Sequence, residues 1–146
     1  GGGGGAGGAG TTASGSTYGE GGAGVQNAIT GSNLWYAAGG GGSTWSDGYS
    51  GTTGWNQKNG IGGRGAARYN SGTGIVGTNG TGSGGGAGGA QSNMGGNGNS
   101  YAGGSGVVIL RLPTSSYTGT TSGSPTVSQD GSDTVIKFTG DGSYTA

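Results

Sequence analysis

Few side chains of this sequence can carry out acid–base, nucleophilic or metal chemistry. Its 146 residues include no His, no Cys and only five Asp or Glu. Without His or Cys, a Ser-His-Asp or Cys-His arrangement cannot form within the chain, and thiolate metal sites are excluded. Glu20 and Asp47 are the only carboxylates of the glycine-rich region that could flank a sugar for glycoside cleavage. We therefore expect a protein that is not an enzyme and that holds no cofactor and no metal.

Two further patterns resemble ligand-binding motifs but have simpler explanations. Residues 60–65 (GIGGRG) satisfy the G-x-G-x-x-G pattern of dinucleotide-binding loops, which a chain with 46 Gly meets by chance. Asp130, Asp133 and Asp141 could offer oxygen atoms to Ca²⁺, but their spacing fits no complete calcium loop. Because Asp-Gly is a turn signal, we interpret these aspartates as turn residues.

Aromatic side chains are the strongest candidates for recognition, because they fall in polar loops between glycine runs. A large ring in such a loop either caps the packed glycine segments or contacts a partner, for which a host surface glycan or protein is a candidate. Both interpretations stay open. The candidate recognition residues are Trp35, Tyr36, Trp45, Tyr49, Trp55 and Tyr69.

The charge balance and hydropathy pattern argue against two classes of partner. Five Lys or Arg balance five Asp or Glu, so no basic surface is expected for nucleic acid. No apolar stretch approaches the roughly 20 residues that span a bilayer. We expect neither nucleic-acid binding nor membrane insertion.

The elements that position these residues follow from the distribution of glycine. Residues 1–106 hold 41 of the 46 Gly, and residues 107–146 hold the other five. Such a composition is typical of disorder, but the zero net charge and the 11 aromatic residues argue against it. Seven glycine runs alternate with polar loops: 1–10, 21–24, 39–42, 62–65, 84–90, 95–98 and 103–106.

The glycine runs favour neither an α-helix nor a standard strand. The extended threefold helix, polyglycine II, has no internal hydrogen bonds, so its N–H and C=O groups are available to neighbouring segments. Where most residues are Gly, backbones can approach on several sides. We therefore predict a mostly irregular and β protein, in which a bundle of polyglycine-II helices, joined by polar-aromatic loops, packs with a small β-sheet.

The small sheet is predicted from the few apolar residues. The run 107–112 (VVILRL) is rich in β-branched residues and ends at Pro113, which predicts a buried strand that anchors the bundle. A hairpin is predicted from strands near Thr126–Gln129 and Thr134–Phe138, with a primed turn at Asp130-Gly131.

These elements suggest domains 1–112 (the glycine-rich domain with its closing strand), 113–125 (a linker) and 126–146 (a hairpin that pairs with a neighbouring subunit or domain). The candidate assembly residues are Val107, Val108, Ile109, Leu110, Leu112, Val135, Ile136 and Phe138.

Two strand motifs give the sequence a family resemblance. A closing strand that follows a glycine run and ends in Arg-Tyr is typical of glycine-rich domains of tailed-phage virion proteins. The strand at Arg111 resembles it, although Leu112 stands in place of the usual Tyr. An opening hairpin motif of the same family occurs near the C-terminus. In the family this motif precedes the glycine runs, whereas here it follows them. The matching residues are Gly103, Gly104, Gly106, Val108, Ile109 and Arg111 for the first motif, and Ile136, Phe138, Thr139, Gly142, Tyr144 and Thr145 for the second.

The resemblance implies a structural or adhesive module of a phage particle, in a virion or extracellular location. Distal tail-fibre adhesins look similar in architecture, with polyglycine-II helices and host-contacting loops. Homo-oligomers, or neighbouring subunits joined by strand addition, are the expected partners. The alternative is a self-assembling subunit of an extracellular filament. A third function, ice binding, fits the bulky aromatic loops poorly.

Overall fold

The computed structural model describes residues 1–14, 17–43, 58–66, 74–89 and 99–146. The chain divides into two compact units: unit 1 comprises Gly1–Val25 and Trp35–Ser105, and unit 2 comprises Gln26–Leu34 and Gly106–Ala146. The described residues form short strands, two 3₁₀ turns and irregular segments, with no α-helix among them. The predicted class, mostly irregular and β, is confirmed at this level, with three small sheets where one was predicted.

Unit 1 is built from irregular glycine-rich segments that hydrogen-bond to one another through their backbones. The segment 37–42 bonds to four others: the Gly39 N–H donates to the Gly22 carbonyl (2.9 Å) and the Gly41 N–H to the Gly63 carbonyl (2.8 Å). It also accepts at 2.9 Å from the N–H groups of Gly3, Ala6, Gly84 and Ala87. A β-strand bonds to two neighbours at most, so this segment, which we call the central segment, differs from a strand.

Sequence analysis missed one of the segments that take part in this network. Residues 74–78 contain only two Gly, yet the Ile75 N–H donates to the Arg64 carbonyl (2.8 Å) and the Thr78 N–H to the Ile61 carbonyl (2.9 Å). Gly74 and Gly77 are three residues apart, and that spacing was the available signal. The run 95–98 lies outside the described residues.

Seven short strands are present in the described part of the chain: β1 Val25–Asn27, β2 Leu34–Tyr36, β3 Val108–Pro113, β4 Thr121–Ser122, β5 Thr126–Asp130, β6 Asp133–Phe138 and β7 Ser143–Tyr144. They form three sheets, with strand orders β1-β2, β3-β6-β5 and β4-β7. The boundary between the units passes through the β1–β2 hairpin. The 3₁₀ turns are Lys58–Gly60 and Thr114–Ser116.

The three-stranded sheet is the core of unit 2. Strand β6 lies in the middle and pairs antiparallel with both β3 and β5. The buried apolar residues of unit 2 are all on this strand, at Val135, Ile136 and Phe138. Both the predicted strand at 107–112 and the predicted hairpin are therefore present.

Two details of the sequence interpretation were wrong. The strand 107–112 was expected to be buried, but β3 is an edge strand, and Val108 is 59% exposed. The hairpin turn lies one residue later than predicted, because Asp130 pairs with Asp133 and leaves Gly131 and Ser132 as the turn residues. Gly131 has a positive φ of 62° at the first turn position, as a type II′ turn requires.

Residues 113–125, expected as a linker, carry a 3₁₀ turn and strand β4. Strand β4 pairs with β7, so a segment near the C-terminus returns to this stretch. The rings of Tyr117 and Tyr144 stack with centroids 5.8 Å apart. The Tyr144 hydroxyl donates to the Ser116 carbonyl at 3.1 Å, and these contacts give the stretch a defined structure.

Candidate interaction site

The register of the three-stranded sheet separates its side chains into two faces of different chemistry. Leu110 lies opposite Ile136, which lies opposite Val127, so all three share one face. Residues directly opposite each other in an antiparallel pair point to the same side of the sheet. We call this side the apolar face, and its apolar members are Val108, Leu110, Leu112, Val127, Ile136 and Phe138.

Burial across the apolar face falls from the centre to both edges. Ile136 is fully buried and Phe138 is 7% exposed, whereas Leu110 on β3 is 37% exposed and Val127 on β5 is 42% exposed. Together with Val108, these residues place exposed aliphatic surface along the edges of the sheet. The exposed residues lie on the two edge strands and are separated by the buried residues of β6, so each edge offers its own small apolar surface, and Val108 and Leu110 make the one on β3 the larger.

The opposite face carries a charged cluster around Arg111. Its Nε donates to an Asp133 carboxylate oxygen (2.8 Å), and its Nη1 donates to Asp130 (2.7 Å) and to the Ile29 carbonyl (3.3 Å). The hydrogen bonds that the guanidinium donates to Asp130, and then to Asp133, raise the pKa of Arg111. The guanidinium therefore joins both ends of the β5–β6 turn to the loop at Ile29. A guanidinium already bonded to two carboxylates is poorly placed to bind an anionic ligand.

The approach of the 26–34 segment to this cluster depends on a glycine. Gly31 has a φ of 86°, and a Cβ at this position would lie 2.8 Å from the Asp130 carboxyl carbon. Only Gly combines that conformation with so close a neighbour. No local sequence pattern indicates this contact, because Gly31 and Asp130 are far apart in the chain.

The predicted assembly residues are brought together in unit 2. Val108, Ile109, Leu110 and Leu112 lie on β3, and Val135, Ile136 and Phe138 lie beside them on β6, with Val107 directly before β3. Their proposed role in assembly stays a prediction. Val127 is an additional exposed member of the apolar face that was not predicted. The available signal was that the predicted hairpin, with Asp130-Gly131 as its turn, already places Val127 opposite Thr134 and so on the same face as Ile136.

The predicted recognition residues are only partly described. Trp35 and Tyr36 lie on β2, where both side chains are half-buried. Trp45, Tyr49, Trp55 and Tyr69 lie outside the described residues. Whether these aromatic residues cap the glycine segments or contact a partner stays a prediction.

The weak catalytic and metal candidates have structural partners where they are described. Glu20 pairs with Lys58 at 3.2 Å, and Asp47 lies outside the described residues. Asp130 and Asp133 both bind Arg111. Across the ranges described, no three potential metal-ligating side chains come together.

A shallow depression in unit 1 was also missed by sequence analysis. Its empty volume is about 220 Å³, which includes open solvent. Three segments contribute to it, because residues far apart in sequence are joined by the backbone network. The lining residues are Tyr18, Glu20, Gly21, Gly41, Gly42, Arg64 and Gly65.

Comparison with family models, with curated proteins and with solved structures found no match. In the described residues, no helix is long and apolar enough to cross a membrane.

Proposed function

We propose that this chain is a non-enzymatic structural or adhesive module of a phage particle, such as part of a tail fibre or another virion surface protein. The observation that carries the proposal is the backbone network of unit 1, in which glycine segments pack without side chains between them. Such a network suits a rigid support for exposed loops, and loops held on rigid supports commonly carry recognition. The family resemblance of the two strand motifs supports the same function.

Polyglycine II is the conformation that we propose for the glycine segments. A threefold extended helix directs successive backbone groups in three directions, so one segment can bond to several neighbours. The bonds of the central segment to four other segments support this geometry. NMR backbone couplings provide the test: φ near −75° in the segments supports polyglycine II, and φ near −120° contradicts it.

Host recognition is assigned to the aromatic residues between the glycine segments in this proposal, with a surface glycan or protein as the ligand. Trp and Tyr bury large areas with little loss of conformational freedom, which suits them to both kinds of ligand. Trp35 and Tyr36, both half-buried on β2, are the candidates in the described part of the chain, and Trp35 has the larger ring to offer a ligand. Trp35→Ala should weaken binding of the purified protein to host cells, whereas Val76→Ala, a change at an exposed residue of unit 1, should not.

The phage assignment is tested by mass spectrometry of purified virions. Peptides of this chain should be present at a fixed ratio to a known capsid protein after density-gradient purification. Immunogold labelling of the same particles should then place the chain at a surface structure. Absence of the peptides from particles that are released from cells expressing the chain would rule out the assignment.

A subunit of an extracellular filament is the second candidate, and the exposed apolar edges of the three-stranded sheet favour it. Strands β3 and β5 occupy opposite edges, so in a filament β3 of one copy pairs with β5 of the next. Such a head-to-tail contact does not close on itself and generates a fibre. Electron microscopy of the purified protein at high concentration separates the candidates, because only the filament subunit should polymerise.

A further inference from the structure

We infer that strand β3 binds β3 of a second copy of this chain in antiparallel register, with a twofold axis at Leu110. The inference deepens the strand-addition part of the proposed function, on which it rests, and names the partner and the contact. It follows from three features of β3: the direction of its backbone groups, the chemistry of its edge, and the complementarity of its side chains to those of a second, antiparallel β3.

The ladder between β3 and β6 defines which backbone groups of β3 are open. The Thr114 N–H donates to the Ser132 carbonyl at 2.9 Å, which extends the β3–β6 register by one residue pair. In an antiparallel ladder, alternate residues direct both their N–H and C=O groups to the same neighbour. The even-numbered residues of β3 therefore bond to β6. Ile109 and Arg111 direct their backbone groups away from the sheet, toward a new strand.

The two edges of the sheet differ in chemistry. Strand β3 presents Val108, Leu110 and Leu112 on the apolar face, and its only charged residue, Arg111, is bonded to Asp130 and Asp133 on the other face. Natural edge strands usually carry free charges that discourage pairing, and β3 has none. Strand β5 has only one apolar residue, Val127, and otherwise carries Thr, Ser, Gln and Asp. The edge of β3 is therefore the better docking surface.

A second β3 complements the first when the twofold axis passes through Leu110. Val108 of each copy then lies opposite Leu112 of the other, and the two Leu110 side chains meet at the axis. Ile109 lies opposite Arg111 of the second copy, so their outward N–H and C=O groups form four hydrogen bonds, two for each pair. The two three-stranded sheets become one six-stranded sheet with both apolar faces on the same side.

The neighbouring registers are less favourable. An axis at Arg111 places the two arginines directly opposite each other, and like charges in this position destabilise a strand pair. An axis at Ile109 places Leu112 opposite Gly106, which has no side chain to cover it. Charge and shape therefore favour the axis at Leu110.

The expected affinity is modest, because the contact is smaller than the 1,200 to 2,000 Å² of standard stable interfaces. We expect dimers with a Kd of about 10 to 100 µM. Sedimentation equilibrium of the full chain, up to about 1 mM, should show a shift from 13.5 kDa toward twice that mass. A monomer throughout this range, or an open-ended series of larger species, overturns the inference.

A matched pair of variants tests which edge forms the contact. Leu110→Lys and Val127→Lys each add a charge beside Ile136 on the same face, at residues that are 37% and 42% exposed. Leu110→Lys should weaken dimerisation at least tenfold, because two lysines would meet at the axis, and Val127→Lys should leave it within twofold. The reverse pattern, or equal effects of both variants, contradicts the inference.

Cysteine crosslinking reports the register without relying on a destabilising change. The chain has no Cys of its own, so each introduced thiol has only its counterpart in the second copy to pair with. Facing residues at a non-hydrogen-bonded position have Cα atoms about 4.5 Å apart, within the range of disulfides. Leu110→Cys should give a disulfide dimer under mild oxidation, whereas Val127→Cys should not. Crosslinking of Val127→Cys in place of Leu110→Cys would overturn the register.

These measurements use the purified chain, so they are independent of whether it occurs in virions. A dimer with these properties from a chain that is absent from virions would leave the contact intact and remove the phage assignment. A monomeric chain that is present in virions would remove the contact and leave the phage assignment intact.

Discussion

The two units of this protein are stabilised by different parts of the polypeptide. In unit 1 the buried apolar residues among those described are Ala38 and Ala66, whereas unit 2 buries Val135, Ile136 and Phe138. Unit 1 instead contains many hydrogen bonds between the backbones of distant segments. Backbone groups can therefore serve as the packing surface of a protein when side chains are nearly absent.

The energetic consequence is that each unit is sensitive to a different kind of substitution. A net hydrogen bond contributes about 0.5 to 1.5 kcal/mol, and a buried large aliphatic side chain about 1.5 to 3 kcal/mol. The stability of unit 1 must come from many small hydrogen-bond contributions, and glycines such as Gly21, Gly40 and Gly86 leave no space for a Cβ. Substitutions that add atoms should therefore destabilise unit 1 most, and substitutions that remove atoms should destabilise unit 2 most.

The largest effect is expected from a methyl group added to the central segment. In Gly40→Ala, the new Cβ would clash with the backbone carbonyl of Gly85, and the central segment cannot move without breaking bonds to four neighbours. We expect a loss of about 4 kcal/mol or more from the free energy of unfolding of unit 1. Hydrogen exchange monitored by NMR should show lost protection across the unit 1 network.

Gly4→Ala is the matched control, because a Cβ at Gly4 meets nothing within 4 Å. This change should be neutral or slightly stabilising, since Ala restricts the unfolded chain. If both variants unfold alike, tight backbone packing is not what stabilises unit 1.

A smaller loss, about 3 kcal/mol, is expected from Ile136→Ala in unit 2. Ile136 is fully buried in the middle of the sheet, so truncation leaves a cavity that its neighbours cannot fill completely. Urea denaturation followed by the NMR signals of the three-stranded sheet provides the measurement. Val127→Ala on the same face, at 42% exposure, should lose less than about 1 kcal/mol. Equal losses would show that the apolar face is not a core.

An intermediate loss of about 1 to 2 kcal/mol is expected from Gly31→Ala. Both the positive φ of 86° and the Asp130 carboxyl group oppose a side chain here. Gly119→Ala separates the two causes, because Gly119 has a φ of 78° and open space around its Cβ position. Thermal unfolding should show a smaller loss at Gly119. The same loss at both positions would assign the whole effect to backbone strain.

The smallest effect is expected from Arg111→Met, because the ion pairs of Arg111 are accessible to solvent and screened by salt. The variant should lower the Tm slightly in low salt, and the difference should shrink in 1 M NaCl. The pKa of Arg111 is raised by Asp130 and Asp133, so the arginine's share of this stability is fully present below its unfolded pKa. It is lost only as the pH rises through the raised value, in strongly alkaline solution. A Tm difference that grows with added salt would contradict an electrostatic role.

Sequence analysis predicted unit 2 better than unit 1. The run at 107–112 and the Asp-Gly turn are local signals, so β3 and the β5–β6 hairpin could be placed to within one or two residues. The burial of β3 could not be predicted, because an apolar run shows only that a strand can be buried. Its position at the edge depends on β6 pairing with strands on both sides.

The arrangement of unit 1 was harder to predict, because glycine carries no pattern of inward and outward side chains. The segment 74–78 was missed because it contains only two Gly, Gly74 and Gly77, and is therefore not a glycine run. The cluster at Arg111 was missed for a different reason: it joins residues from the 26–34 segment and from β3, β5 and β6, and no local pattern links them.

The four-neighbour bonding of the central segment also affects how such a protein can be recognised from its sequence. Inner positions such as Gly39 and Gly40 have no room for a Cβ, so they accept one residue type and retain almost no record of common ancestry. Two proteins could share this architecture while agreeing at little more than their glycines, and the sequence differences between them would gather in the connecting loops. Evolutionary relationships among such chains are therefore easier to detect by comparing main-chain contacts than by aligning sequences.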